Sequence, residues 1–240
     1  MTDKTITILH LYSHDMNIYG DRGNVLCLQR RLEWYGYTSR VIEYNQGDEF
    51  PDDVDIIVGG GGQDSGQNKI KTDLLSIGSR ICELADNDTP ILMICGLYQL
   101  FGKFFKTADG EIIEGIGLFD IETYAKSERL IGNIVTHSEQ FGDIIGYENH
   151  SGQTFLGQNV HALGRVRLGA GNNTIDVSEG ATYKNVIGSY LHGSLLPKNP
   201  SIADFLIQKA VVKKYGKFTK NKIDDSFAEL ARKAALKRPR

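Results

Sequence analysis

The chain has 240 residues, of which 40% are hydrophobic and 24% charged, enough for one large buried core. A formal net charge of -3 and a pI near 6.1 leave no basic face of the kind nucleic acid requires. Three scattered cysteines, Cys27, Cys82 and Cys95, exclude a disulfide framework or zinc knuckle, and no apolar run reaches the roughly 18 residues of a membrane span.

The N-terminal "MTDKTITILHLY" places Asp3 and Lys4 ahead of a short alternating strand and lacks the apolar region of a signal peptide, so a cytoplasmic location is expected. Periodicity predicts a strand near 5–11, a helix opening between Asp21 and Asn24 and running to Tyr35, and a strand near 39–44. "VDIIVGGGG" is a β-branched run that breaks into glycines before a long helix at about 67–86. "PILMIC" is a fully apolar strand feeding the helical "GLYQLFGKFF". Cys27 and Cys82 fall on helices and read as buried structural thiols. Strand and helix in alternation predict an α/β fold with a mostly parallel central sheet covered by helices on both faces.

From about 111 to 191 the texture changes to short alternating strands, among them "GIGLFDIETY", "GNIVTH", "DIIGYEN" and "VRLGAG". They predict a small antiparallel or mixed extension folded onto the same sheet. "NVIGSYLHG" is one more buried strand, followed by helices at about 200–215 and 224–237. The closing "ARKAALKRPR" is a solvated basic helix end. No repeat or linker appears, so residues 1–240 form a single domain with 220–240 as a basic C-terminal helix or tail.

Ligands of a parallel sheet sit at the carboxyl ends of its strands. Cys95, the Gly59 to Gly62 run and His192 all fall there. A sharp turn through Cys95 and Gly96 predicts a nucleophile elbow, and the following helix aims its free N–H groups and dipole at the sulfur, lowering a thiol pKa that ordinarily sits near ~8.5. His192, ending an apolar strand and followed by Gly193, is the best placed of six imidazoles to activate the thiol, with His150 in reserve. His10 and His14 belong to the first strand and its loop, His137 and His161 to the extension. Gly60 and Gly61, with Gly96, supply N–H donors for an oxyanion, which together predict acyl transfer. The same residues also fit a small core cysteine, a flexible glycine loop or phosphate cradle, and a core histidine. A P-loop is disfavoured because no G-K-[ST] follows.

Beyond this chemistry, "ICGLYQLFG" resembles the nucleophile motif of class I glutamine amidotransferases in the I-C-G-G-Y-Q form of the cobyric acid synthase-like branch, and "GSYLHG" resembles its histidine motif. "MNIYGDRGNV", "VGGGGQD", "SERLIGN", "GYENHSGQT" and "YLHGSLLPKNP" are similar to the glutaminase subunits of lipid II isoglutaminyl synthases, so the likeness spans roughly residues 6–215. The resemblance implies a class I glutamine amidotransferase-like fold in which Cys95 attacks the side-chain amide of L-glutamine and His192 moves the protons. It implies glutamine binding by Arg129 and Gln99, and a MurT-like Mur ligase-family partner in a heterodimer. Lipid II would be reached through that partner. No metal or organic cofactor is expected, and ATP is expected only on the partner, since no Walker motif is present.

Two departures from the family pattern stand out. Leu97 replaces a common glycine at the elbow. Ser194 stands where ordinary class I enzymes place a glutamate two residues after the histidine, so the orienting carboxylate must come from elsewhere: Glu148, or the partner subunit, which is the expectation here. Two other readings stay open: an amidotransferase for a cobyrinate-type acceptor, and a catalytically silent metabolite-binding or scaffold module.

Overall fold

The computed structural model describes residues 4–192 and 194–239. Asp3 and Gly193, named above, therefore lie outside the described residues. The first half of the chain alternates as its periodicity predicts: β1 (Thr5–Leu11), α1 (Arg22–Trp34), β2 (Thr38–Tyr44), β3 (Ile56–Gly59), α2 (Asp64–Asp86), β4 (Ile91–Ile94) and α3 (Gly96–Leu100). The second half runs β5 (Phe104–Lys106), β6 (Ile112–Glu114), β7 (Ile121–Ser138), β8 (Gly142–Leu156), β9 (Gly164–Leu168), β10 (Ser178–Glu179), β11 (Ala181–Tyr183) and β12 (Val186–Ser189), then α4 (Leu195–Lys198), α5 (Pro200–Tyr215) and α6 (Ser226–Leu236).

The central sheet has the order β11-β12-β4-β3-β1-β2, parallel throughout except for β11 at one edge. Every residue of β3, β4 and β12 is buried. That is the continuous apolar pattern of strands covered on both faces. α1 packs with α4, α5 and β1, while α2 packs with α3 and β6.

Three expectations are corrected. The helix of "GLYQLFGKFF" ends at Leu100, and "FFK" becomes β5 because its period is two: Phe105 is buried between the more exposed Phe104 and Lys106. The segment 111–191 contains long strands as well as short ones: β7 has 18 residues and β8 has 15, paired as one hairpin. Glycines that read as breaks lie inside it where a side chain would collide. A Cβ on Gly146 would lie 2.5 Å from Leu191, and one on Gly152 would overlap Gln99. This hairpin also builds a second sheet, order β10-β9-β7-β5-β6 with β8 on β7, rather than extending the first. From this segment β11 and β12 join the central sheet.

The C-terminal helix is clamped although it has no fully buried residue. Arg232 donates to the backbone oxygens of Lys198 (2.7 Å) and Asp143 (2.6 Å), and Asp225 pairs with the buried Arg31 at 2.6 Å. Among the described residues no helix is long and apolar enough to cross a membrane, and no group of three or more His, Cys, Asp or Glu could hold a metal ion.

Candidate active site

The elbow is a strained point at the end of a central strand. Cys95 stands between β4 and α3 with φ +50° and ψ -105°, a region that non-glycine residues avoid at a cost of about 1–3 kcal/mol. The surroundings hold it there. Its N–H donates to Ser189 O on β12 at 2.9 Å, its carbonyl accepts from Gln99 at 3.0 Å, and Gln67 Nε2 donates to Gly96 O at 3.1 Å. Leu97 is accommodated because Gly59 is bare: a Cβ there would overlap Leu97 and lie 2.8 Å from Met93 Sδ.

Gly61 is the point where the nucleophile and the histidine meet. A Cβ built on it would stand 2.9 Å from His192 Cε1 and 3.1 Å from Cys95 Cβ, so the two side chains rest against the same small volume. His192 follows β12 and is pinned by its N–H to Tyr147 O at 2.8 Å. Its ring lies 4.2 Å from that of Tyr19. Among the described residues neither ring nitrogen has a hydrogen-bond partner.

The expected lowering of the thiol pKa is overturned. Burial, reinforced by the negative charge of Asp21, pushes Cys95 up to about 12, against weaker help from the Gly96 N–H and Arg129. Five residues of α3 carry too few aligned peptides to reverse that. Burial likewise drives His192 down to about 3, with His150 and Arg129 adding to the effect. The resting pair is a neutral thiol beside a neutral imidazole.

A cavity of about 320 Å³ opens over the sulfur, lined by Tyr19, Gly62, Cys95, Gln99, Arg129 and His150 among others. Arg129 reaches it from β7, where the register with β8 shifts between Ala125 and Leu130. Its Nε donates to Asn149 Oδ1 at 2.7 Å and its Nη2 to the Tyr19 hydroxyl at 3.1 Å, fixing the guanidinium at the rim. Gln99 is buried, with Oε1 accepting from Gln67 at 2.8 Å and Nε2 donating to the Tyr190 hydroxyl at 3.0 Å. His150 donates from Nδ1 to Gly152 O at 2.7 Å and stacks on Tyr190 at 3.6 Å; burial holds it neutral, at about 4.

The expected oxyanion donors are brought beside the sulfur but are not equally free. The Gly96 N–H is directed at Cys95, whereas the Gly61 N–H is donated to Asp21 Oδ2 at 2.8 Å. Glu148 is spent on a turn, accepting from the N–H groups of Ala170 (2.9 Å) and Gly171 (2.8 Å). Ser194 bonds Gly20 O at 2.9 Å, and Leu196 N bonds Asn24 Oδ1 at 2.9 Å, stitching the histidine loop to the "GDRGN" segment. Asp21 and Asn24 could be read from sequence as helix caps, yet Asp21 makes no capping bond. Instead its fully buried carboxylate lies 4.0 Å from His192 Nδ1. Tyr19 and Asn149 were equally missed: the quoted motifs contain them, but nothing in residue type signals a role.

Residues 7–200 match the CobB/CobQ-like glutamine amidotransferase domain. The chain belongs to that glutamine amidotransferase family. Among the amidotransferase's relatives, the protein named lipid II isoglutaminyl synthase (glutamine-hydrolyzing) subunit GatD of Staphylococcus aureus is 40% identical over 232 residues, covering 96% of this chain and 94% of that one. The protein of the same name from Streptococcus pneumoniae is 42% identical over 214 residues, 88% and 82% of the two chains. A probable cobyric acid synthase of Methanothermobacter thermautotrophicus is 32% identical over 157 residues but is matched over only 31% of its length. In fold the amidotransferase is similar to a glutamine amidotransferase from Thermotoga maritima, with TM-score 0.54, 14% identity, and coverage of 96% and 93%. The PurLQS structure from Thermotoga maritima gives TM-score 0.53 at 15% identity, covering 90% of this chain and all of that one.

Proposed function

We propose that this amidotransferase is the glutaminase subunit of a lipid II isoglutaminyl synthase. The observation that carries the chemistry is the convergence of Cys95 and His192 on Gly61 beneath a cavity rimmed by Arg129. The acceptor is supported by the near full-length match to relatives bearing that name, against the partial match to cobyric acid synthases.

Arg129 would hold the α-carboxylate of L-glutamine with its planar, two-pronged donor set, and Gln99 would wall the side chain. As the sulfur attacks the Cδ carbonyl, the thiol proton passes to His192, so the charged pair exists only when substrate has displaced water. The oxygen of the tetrahedral adduct takes N–H bonds from Gly96 and from the Gly60 to Gly61 backbone, once Gly61 leaves Asp21. The C–N bond breaks, the departing nitrogen takes the proton from His192, and ammonia leaves a glutamyl thioester. Water then adds, giving its proton to His192. The C–S bond breaks, the sulfur recovers that proton, and glutamate departs.

Ammonia would pass in the cytoplasm to a MurT-like Mur ligase-family partner, which with ATP amidates the α-carboxyl of D-glutamate in lipid II. The test is to incubate the chain and its ligase partner with glutamine, ATP and lipid II, and to map by mass the adduct of diazo-oxo-norleucine. Glutamate release, amidated lipid II and a label on Cys95 are expected. No glutamate, or a label on Cys27, overturns the reading. Arg129→Ala should raise KM for glutamine about 10- to 100-fold while kcat falls less than about threefold, because the guanidinium grips a part of the substrate that does not react.

A further inference from the structure

Arg129 has fewer donors to give a carboxylate than its side chain suggests. Its Nε is spent on Asn149 Oδ1 at 2.7 Å, and its Nη2 reaches the Tyr19 hydroxyl at 3.1 Å and the Asn149 carbonyl at 3.5 Å, so among the described residues the Nη1 end alone stays uncommitted. A carboxylate has two oxygens to satisfy, each taking more than one bond, so a further donor is needed beside the guanidinium. Tyr19 stands there. Its hydroxyl accepts from Arg129 and so keeps its own O–H to give.

We infer that Tyr19 completes the carboxylate site: its hydroxyl donates to the α-carboxylate of glutamine beside Arg129, and the two side chains together select substrates whose α-carboxylate is free. The inference deepens the glutaminase reading and rests on it. It adds a substrate-binding and specificity-determining residue from the loop between β1 and α1, at the other end of the chain from His192.

Three observations make the assignment specific. The first is reach. A Cβ on Gly61 would lie 3.1 Å from Cys95 Cβ and 3.3 Å from Tyr19 Cδ2, so one edge of the phenol ring starts beside the nucleophile while its hydroxyl ends at the guanidinium. Glutamine must make the same span, with its amide carbon at the sulfur and its α-carboxylate at the far end of the molecule. The second is rigidity. The residues on either side of Tyr19 are both tied down, Ile18 by its N–H to Gly61 O at 3.2 Å and Gly20 by its carbonyl to the Ser194 hydroxyl at 2.9 Å. The ring itself rests 4.2 Å from that of His192. A hydroxyl held in this way costs little further ordering when the substrate arrives. The third is charge: Asp64 also lines the cavity and repels an anion, so the carboxylate settles where Arg129 and Tyr19 stand together.

The experiment uses the full chain in complex with its ligase partner and compares L-glutamine with its α-amide, which keeps the reacting group and lacks the carboxylate. Tyr19→Phe removes only the hydroxyl, a hydrogen bond to a charged group. It is expected to raise KM for glutamine about tenfold with kcat within about threefold, and to change kcat/KM for the α-amide by less than about threefold. Equal losses on both substrates, or none on either, overturn the inference. A tyrosine that merely anchors Arg129 would show no further effect once Arg129 is gone. In an Arg129→Ala background, Tyr19→Phe is therefore expected to cost glutamine at least about another threefold in kcat/KM, and the absence of that loss overturns the inference as well. If Tyr19→Phe does not fold, Tyr19→Leu is read by the same ratio of the two substrates: discrimination about tenfold narrower is expected, and unchanged discrimination is the overturning result. If the wild-type complex releases no glutamate at all, the glutaminase reading fails instead, and the two failures are thereby told apart.

Discussion

Cys95→Ala and His192→Ala are each expected to lower glutamine hydrolysis by the complex at least about 10⁴-fold, and the double variant is expected to be no slower than the worse single one. The reason is spatial: both side chains press on Gly61, and neither is reactive alone. With Cys95 raised to about 12 and His192 lowered to about 3 by burial, no standing thiolate exists for one residue to use without the other. Steady-state glutamate release measures this. Double-variant losses that multiply would mean that the two residues act separately, against a shared proton transfer. A companion measurement reads the resting state: alkylation of Cys95 by iodoacetamide in the free subunit should still climb above about pH 9, where an activated thiolate would have levelled.

What was legible in the sequence was whatever chain-local pattern encodes. The continuous apolar runs at Ile56–Gly59, Ile91–Ile94 and Val186–Ser189 announced buried parallel strands, and Cys95 and His192 fell at their ends. The strained φ of Cys95 fits the elbow that Gly96 suggested. Properties set by distant neighbours were not legible. The thiol pKa depends on burial and on the charge of Asp21, so the lowering expected from the helix start of "CGLYQL", though the Gly96 N–H acts in that direction, is outweighed. The hairpin of β7 and β8 looked fragmented because its glycines answer to Leu191 and Gln99, which lie far along the chain or in another layer. Asp21 was hidden for the same reason: next to a helix start, an aspartate reads as a cap, and only the fold sets its carboxylate 4.0 Å from His192 Nδ1.

The neutral thiol and imidazole also bear on idle turnover. A subunit holding a permanent ion pair would hydrolyse glutamine whenever it bound. On the proposed mechanism the reaction would wait for two rearrangements: water leaves the cavity, and Gly61 frees its N–H from Asp21. The glycine loop is tied to the Ile18 N–H through Gly61 O at 3.2 Å, and Ile18 is half exposed at 51%. The loop thus connects an exposed residue to the space beside the sulfur.

That link makes Gly61→Ala the most informative small change. Gly61 has no positive φ, so alanine is permitted by the backbone, and its methyl would be the only new atom. That methyl would lie 2.9 Å from His192 Cε1, 3.1 Å from Cys95 Cβ and 3.3 Å from Tyr19 Cδ2, forcing the imidazole and the thiol apart by several tenths of an ångström. Misplacement on that scale costs about 10²-fold in a positioned reaction. We therefore expect kcat to fall about 100-fold and KM to change less than about threefold, since Arg129 is untouched. Thermal melting should move by only a few degrees, because the side chains can yield into the cavity. Gly66→Ala, on the same loop's helix but with Asp15 O at 3.1 Å and Met16 Sδ at 3.6 Å as its neighbours, is the control and should keep kcat within about threefold. If Gly61→Ala retains wild-type turnover, then the two reacting side chains do not need the space above that glycine, and they meet somewhere else during the reaction.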